Sequence, residues 1–297
     1  MHWLELTARV DGEAVEAVSE AFSRVVAGGV AIEPDLIPGA DDGFTLGNES
    51  VVRGYLPVDD NVATKTRALE EALWYLRAIW PVGDLETREV AEEDWATAWK
   101  QHYTTFRVGR RVVIRPVWRE FVSAPDDVVV SLDPGPAFGT GLHPTTRRCL
   151  ELLEECVRPN DRVFDVGTGS GILAIAAAQL GAQSVLAVDV DEVAVRAARS
   201  NVAMNDLSER VAVAEGSADS PLAAASYDVV VANIIARVIL QIAPDLAAHL
   251  APGGRLIAAG IIVDRVDEVV AALEGLNLQV DCYVDGDWHA VVARRCA

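Results

Sequence analysis

The sequence predicts an α/β protein in two parts. A large C-terminal domain carries a mostly parallel sheet of seven strands with helices on both faces, and a smaller α+β domain precedes it. Three observations predict this. The chain has 297 residues, of which 51% are hydrophobic and 24% charged. That is enough for about two domains and excludes wholesale disorder. Short apolar runs alternate with helical stretches after residue 125, as repeated β-α units do. Before residue 92 the order is β-α-β-β-α-β, the split βαβ arrangement of ferredoxin-like domains.

In the N-terminal domain, residues 1–91, Leu4, Leu6, Ala8 and Val10 alternate, which predicts a half-buried strand. Val15, Val18, Phe22, Val25 and Val26 then follow helical spacing up to Gly28-Gly29. Val30 to Glu33 resumes as a strand, and the Pro-, Gly- and Asp-rich stretch Pro34 to Asn48 reads as a loop. A strand over Ser50 to Val58, a helix over Val62 to Trp80 and a strand over Leu85 to Val90 complete the domain. Leu69, Leu73, Leu76 and Trp80 form the apolar stripe of that helix.

Residues 92–125 read as a connector between the domains. It carries Trp95 and Trp99 on a helix, then Arg107, Arg110, Arg111, Arg115 and Arg119 with one or two short strands. The arginines suit a solvated edge or, alternatively, a contact with a partner or neighbouring domain.

In the C-terminal domain, residues 126–297, strands are expected at Val163 to Val166, Ser184 to Val188, Val211 to Ala214, Val229 to Ala232 and Arg255 to Ala259. Leu278 to Val284 and His289 to Arg294 should close the chain as an antiparallel hairpin turning at Asp285-Gly286-Asp287. No internal repeat or low-complexity tract is seen.

The formal net charge is −20, and residues 1–60 alone hold 12 acids and 3 bases. Such acidity disfavours electrostatic binding to a phosphate backbone and suits a basic partner. No apolar run approaches the roughly 18–20 residues of a membrane span. The start, Met-His-Trp-Leu-Glu-Leu, has no basic run, so no secretion signal is expected. Cys149, Cys156, Cys282 and Cys296 form no Cys-x-x-Cys pair and no zinc-ligand spacing. Free thiols in a reducing cytoplasm are the expectation.

The chemistry concentrates in Val163-Phe164-Asp165-Val166-Gly167-Thr168-Gly169-Ser170-Gly171-Ile172, a buried strand running through a glycine turn into an Ala-rich helix. Glycines let a ligand approach the backbone, and the helix N-terminus adds amide donors. The spacing is G-x-G-x-G, unlike the G-x-G-x-x-G of dinucleotide sites, and no Lys-Ser/Thr follows as in a P-loop. Asp165 closes the strand, where a carboxylate suits a cationic or amino-bearing ligand. Asp189 closes the next strand, placed to accept both hydroxyls of a ribose. Asn233, in Ala-Asn-Ile-Ile-Ala, follows the strand Asp228 to Ala232, and its amide oxygen can orient an incoming amine. This combination resembles the class I S-adenosylmethionine-dependent methyltransferases, with a Rossmann-like domain. The Asn/Asp-Pro-Pro-aromatic motif of several amine-methylating members is absent, which argues against glutamine-amide or nucleobase-amine methylation.

Ahead of that domain lies Asp133-Pro134-Gly135-Pro136-Ala137-Phe138-Gly139-Thr140-Gly141-Leu142-His143-Pro144-Thr145-Thr146. With three prolines and three glycines it reads as an ordered loop over the ligand, ending as the N-cap of a helix over Arg147 to Cys156. The string Ala-Phe-Gly-Thr-Gly-x-His-Pro-Thr-Thr closely resembles the signature of the bacterial ribosomal protein L11 methyltransferases. Trp95, Trp99 and the stretch to Arg115-Pro116, the Ala-Asn-Ile motif and Gly286-Asp287-Trp288-His289-Ala290 are similar to other parts of that family. The departures are Pro136, Leu142 and the Ala-Ala-Gly-Ile-Ile within Leu256 to Ile262.

The resemblance implies methyl transfer from S-adenosylmethionine to lysine side chains and the N-terminal amine of ribosomal protein L11, by a cytoplasmic, monomeric enzyme. It implies that Thr146, Gly167, Asp189 and Asn233 contact the cofactor, beside Asp165 and Gly169, with Phe138, Gly139 and His143 as the loop wall. Asn233 is the candidate for positioning the amine. His143 reads as a loop-fixing residue more readily than as a base. The small domain would recognise the substrate protein. No metal, membrane or direct nucleic-acid partner is implied. The alternatives are a related enzyme acting on another protein, such as an electron-transfer flavoprotein subunit, or on a small-molecule amine.

Overall fold

The computed structural model describes residues 2–11, 14–26, 30–38, 44–59, 61–91, 103–133, 141–220 and 226–295. The chain divides into two compact units, Met1–Tyr103 and Thr104–Ala297.

The first unit runs β1 (His2–Asp11), α1 (Val15–Ser23), β2 (Ala31–Pro38), β3 (Phe44–Pro57), α2 (Val62–Leu76) and β4 (Glu86–Ala91). Its sheet is antiparallel in the order β2-β3-β1-β4, the split βαβ arrangement that the sequence predicts. Leu6, Ala8 and Val10 of β1 turn to one face and bury against Val18 and Phe22 of α1 and Leu69 and Leu73 of α2. Each of the large side chains contributes about 1.5–3 kcal/mol by burial.

The stretch Pro34 to Asn48, expected as a loop, is largely strand. Leu36 pairs with Leu46, Ile37 with Thr45 and Pro38 with Phe44. β2 is an edge strand, where a proline's missing N–H is tolerated, and the register shifts between Pro34 and Leu36. α2 ends at Leu76 rather than Trp80. Pro81 disfavours helical backbone at the residue before it, and the chain leaves through the tighter turns Ala78 N–H to Tyr75 and Ile79 N–H to Leu76. Gly28-Gly29, Trp95 with Trp99, and Cys296 lie outside the described residues.

The second unit opens with a small sheet of β5 (Phe106–Val108), β6 (Val112–Pro116) and β7 (Val128–Leu132). Of the arginines expected at a solvated edge or an interface, Arg107, Arg110, Arg111 and Arg119 are exposed and Arg115 is half-buried, and several also bond within this unit. Arg107 pairs with Asp127 at 2.7 Å, Arg111 donates to the Asp126 carbonyl at 3.0 Å and Arg115 donates to Ser131 Oγ at 2.6 Å. The Arg110 amide donates to Glu154 at 2.9 Å.

Next come α3 (Pro144–Cys156), β8 (Arg162–Val166), α4 (Ile172–Gln179), β9 (Ser184–Asp189), α5 (Glu192–Met204), β10 (Val211–Glu215), β11 (Tyr227–Asn233), α6 (Ala236–Ala248), β12 (Leu250–Ile262), α7 (Val266–Glu274), β13 (Leu278–Asp285) and β14 (Trp288–Arg295). They build a seven-stranded sheet in the order β10-β9-β8-β11-β12-β14-β13. β10 to β12 are parallel to their neighbours along the row through β8, while β14 runs antiparallel to β12 and β13. Residues 172–178 of α4 are all buried, as an apolar-all-round helix should be. The expected closing hairpin is present, turning between Asp285 and Trp288 with Gly286 at φ 58°.

This topology positions the site. From β8 the chain winds outward through β9 and β10, then returns to β11 on the other side of β8. The strand order therefore reverses between β8 and β11, and a crevice forms outside their carboxyl ends.

Candidate active site

β8 delivers the glycine turn to that crevice. Gly167, Gly169 and Gly171 have φ of 76°, 55° and 83°, the left-handed region glycine adopts without penalty. Four of the turn's amides are engaged within the protein. Gly167 and Thr168 donate to the Val188 carbonyl at 2.9 and 3.0 Å, Gly169 to Asp189 Oδ2 at 2.8 Å, and Gly171 to the Thr168 carbonyl at 2.9 Å. A phosphate cradle needs such amides pointing at the ligand. Here those four are committed, and carboxylates stand at the ends of β8 and β9.

Two glycines also let the end of β11 pass. A Cβ on Gly167 would fall 2.4 Å from Ile234 Cγ2, and one on Gly260, at φ 85°, would fall 2.4 Å from the Ile234 carbonyl oxygen. Ile234 threads between them, and this seats Asn233 beside the glycine turn.

Asp189 ends β9 half-buried. Its Oδ2 takes the Gly169 amide and its Oδ1 the Asp191 amide at 3.0 Å. A carboxylate accepts about four hydrogen bonds, so capacity remains for a ligand. Asp165 differs: it is 0% exposed. Its Oδ2 accepts from the Thr168 hydroxyl at 2.6 Å, and its Oδ1 makes no hydrogen bond among the described residues. Burial pushes its pKa up to about 7, against the Thr168 hydroxyl; the Asp189 charge adds to the rise and the Ala174 amide opposes it.

Asn233 and Thr146 meet. The amide Nδ2 of Asn233 donates to Thr146 Oγ1 at 3.1 Å, joining the end of β11 to the first turn of α3. Thr146 is 1% exposed and Asn233 half-buried. Asn233 Oδ1 takes no hydrogen bond among the described residues. The helix expected from Arg147 with Thr146 as cap starts earlier, at Pro144, because proline suits the first helical position. The cap is His143. Its Nδ1 accepts the Thr145 amide at 3.3 Å and lies 2.8 Å from Thr145 Oγ1. Its ring meets Trp288 of the closing hairpin edge-on at 4.9 Å, and burial lowers its pKa. Phe138 and Gly139, expected in the loop wall, lie outside the described residues, as does Pro136.

A family model described as Ribosomal protein L11 methyltransferase (PrmA) matches residues 2–296. The chain belongs to the ribosomal protein L11 methyltransferase family. It is 47% identical over 322 aligned positions to a ribosomal protein L11 methyltransferase of Chloroflexus aurantiacus, covering 99% of this chain and 98% of that one. It is 46% identical over 319 positions to another, of Herpetosiphon aurantiacus, with 99% of each covered. A crystal structure of a ribosomal protein L11 methylase from Lactobacillus delbrueckii subsp. bulgaricus superposes with a TM-score of 0.60 at 36% identity. That match spans 66% of this chain and all of the other. The chain is thus a methyltransferase with the class I S-adenosylmethionine-dependent fold.

The L11 methyltransferase site also rests on two asparagines that the motif reading passed over. Asn201, 1% exposed on α5, donates to the Ser170 carbonyl at 2.8 Å and accepts the Asp133 amide at 3.0 Å. Asn205, one turn on, accepts the Ser131 amide at 2.9 Å and donates to the Ser131 carbonyl at 2.7 Å. Together they clamp the end of β7 to the glycine turn. Asn201 inside α5 was the available signal, since asparagine competes with helical hydrogen bonds unless it serves a partner; Asn205 follows as the helix C-cap. The residues fit a cationic nucleoside cofactor: engaged turn amides, a half-exposed carboxylate on β9, and a carboxyl oxygen of Asp165 with no hydrogen bond among the described residues.

Proposed function

We propose that this chain methylates amino groups of ribosomal protein L11, on lysine side chains and the N-terminal amine, using S-adenosylmethionine. The carrying observation is Asn233, anchored to Thr146 through its Nδ2 beside the glycine turn, with its Oδ1 unbonded among the described residues. An amide oxygen in that position accepts a hydrogen bond from a neutral amine, aiming the lone pair rather than removing a proton. Supporting the substrate are the names of the relatives, which cover nearly the whole chain.

When bound, the cofactor would supply an activated methyl group and its own leaving group. The protein's part is alignment. Asp189 would accept the ribose hydroxyls, and Gly167 and Gly169 would leave room for the backbone to lie against the ligand. Asp165 would set the charge, Thr146 would hold Asn233, and Phe138, Gly139 and His143 would wall the site. A free lysine has a pKa of about 10.4, which desolvation and a neighbouring cation both lower. The substrate amine can therefore shed its proton to water before it is seated, and no dedicated base is needed. Consistent with this, His143 serves as a helix cap. Approximation then supplies most of the acceleration. Residues 1–91 would recognise the substrate protein, with 92–125 as connector and 126–297 as catalytic domain, in the cytoplasm.

The test is incubation of the purified protein with methyl-labelled S-adenosylmethionine and unmethylated ribosomal protein L11, read by intact mass. Added methyl groups mapped to lysines or the N-terminus are expected. Cofactor binding without any mass gain would send the substrate assignment elsewhere.

A further inference from the structure

We propose that Trp74, Tyr75 and Ile79, at the carboxyl end of α2, form the surface on which the first unit docks a basic, lysine-bearing segment of the substrate protein. The proposal rests on the ribosomal protein L11 reading above.

α2 has two unlike faces. Leu69 and Leu73 turn inward, 0% exposed, and pack with Leu6 and Phe22 in the core of the first unit. The opposite face of an amphipathic helix is ordinarily polar. Here it carries Trp74 and Tyr75, 65% and 68% exposed, and Ile79, one turn beyond Tyr75, is 68% exposed. The two rings meet edge-on with centroids 5.1 Å apart. That contact restrains both rings, which lowers the cost of ordering them on binding. Every other strongly exposed large apolar side chain among the described residues is non-aromatic. Together the three expose on the order of 400 Å² of largely apolar surface, the size of patch that marks an interaction site.

Charge identifies the occupant. Glu70 and Glu71 lie one turn before Trp74 and Tyr75, exposed and without an ion pair among the described residues. Arg67 precedes them on the same face as a single cation. Arg77, just past the helix, is engaged: its guanidinium donates to the Val82 and Gly83 carbonyls at 3.1 and 2.5 Å and pairs with Asp84 at 2.9 Å. No basic residue occupies the last turn of α2, whose carboxyl end favours a cation. Residues 1–91 as a whole hold 17 acids and 7 bases. So acidic a surface repels a second copy of this chain and attracts a basic protein. Ribosomal proteins carry the excess of lysine and arginine that RNA binding requires. A lysine fits this surface twice over: its methylene stem lies along apolar ring surface, and its ammonium meets a ring face or a glutamate.

The experiment follows binding and turnover of unmethylated ribosomal protein L11 by the full chain. In the wild-type protein, hydroxyl-radical footprinting read by mass spectrometry is expected to show Trp74 and Tyr75 oxidised several-fold more slowly once L11 is added. Methylation that proceeds without such protection overturns the proposal, and that comparison needs no variant to fold. Trp74→Ala combined with Tyr75→Ala should raise KM for L11 by about 10- to 30-fold, the effect of losing an aromatic hot spot. The kcat at saturating L11 and the affinity for S-adenosylhomocysteine should not change. Glu70→Lys combined with Glu71→Lys keeps the apolar surface and reverses its charge. It should also raise KM and make it less sensitive to salt. An unchanged KM in either pair overturns the proposal. Protection that appears without L11 as the chain is concentrated, together with a dimer in sedimentation, assigns the surface to a second copy and overturns it as well. Absence of any methyl transfer to L11 by the wild-type protein would instead overturn the L11 reading itself, and the docking with it.

Discussion

The Gly169 amide donates to Asp189 Oδ2 at 2.8 Å, so the second strand of the large sheet holds the glycine turn of the first. One carboxylate therefore has two tasks: it fixes the turn and retains lone pairs for ligand hydroxyls. Asp189→Ala removes both. It should weaken S-adenosylhomocysteine binding by about 10- to 100-fold, the loss expected for one or two hydrogen bonds to a charged group. Calorimetry reads the affinity. Asp189→Asn, which keeps an oxygen for Gly169, should lose less, and equal losses in the two variants would mean that the contact with the turn contributes nothing to affinity.

Thr146 and Asn233 separate alignment from cofactor binding. Asn233→Ala removes the group proposed to aim the amine. It should slow single-turnover methyl transfer by roughly 100-fold, in line with the loss of one positioned hydrogen-bonding group. Thr146→Val keeps the shape of the side chain and deletes the acceptor of the Asn233 Nδ2 hydrogen bond. A smaller loss, about 10-fold, is expected because the amide remains but is no longer held. Thr146→Ser should recover most of it. Loss of cofactor affinity in Thr146→Val equal to the loss of rate would reassign Thr146 to the cofactor alone.

Asn201 is fully committed at both ends of its amide, to Ser170 and to Asp133. Asn201→Leu fills similar volume and removes both hydrogen bonds. At about 0.5–1.5 kcal/mol for each, the variant should lose roughly 1–3 kcal/mol of stability. The urea midpoint measures that. A loss below about 1 kcal/mol would show that water reaches these groups.

Strands β8 to β11 were legible because each is a short, largely apolar run, and the acids Asp165 and Asp189 mark the ends of two of them. What was not legible depends on distant partners. Asn201 and Asn205 find theirs at Asp133 and Ser131, 68 and 74 residues away along the chain, so no local pattern announces them. Local composition misled at Pro34 to Asn48, where prolines signalled a loop but sit in an edge strand whose N–H groups need no partner. The start of α3 was misplaced because its cap is a histidine, outside the usual Ser, Thr, Asp and Asn. Asp165 was visible as a strand-end acid. Its complete burial was not, because that follows from α3 and α4 closing over the sheet.

That burial sets a pH dependence of stability whose sign is opposite to that of a salt-bridged carboxylate. Unfolded, Asp165 titrates near 3.9; folded, it titrates at about 7. Between those values the folded protein holds a proton that the unfolded chain has lost, so rising pH favours unfolding across the window and has no further effect above it. Asp165→Asn removes the ionisable group while keeping an acceptor for Thr168. Its stability relative to wild type should therefore increase from about pH 4 to about pH 7 and then stay constant. The upper bound is roughly 4 kcal/mol for a shift of about three units. Urea unfolding of both proteins at about pH 5 and about pH 8 measures it. A difference that does not change across the window would mean that Asp165 is already ionised in the folded protein, with a countercharge close to its Oδ1.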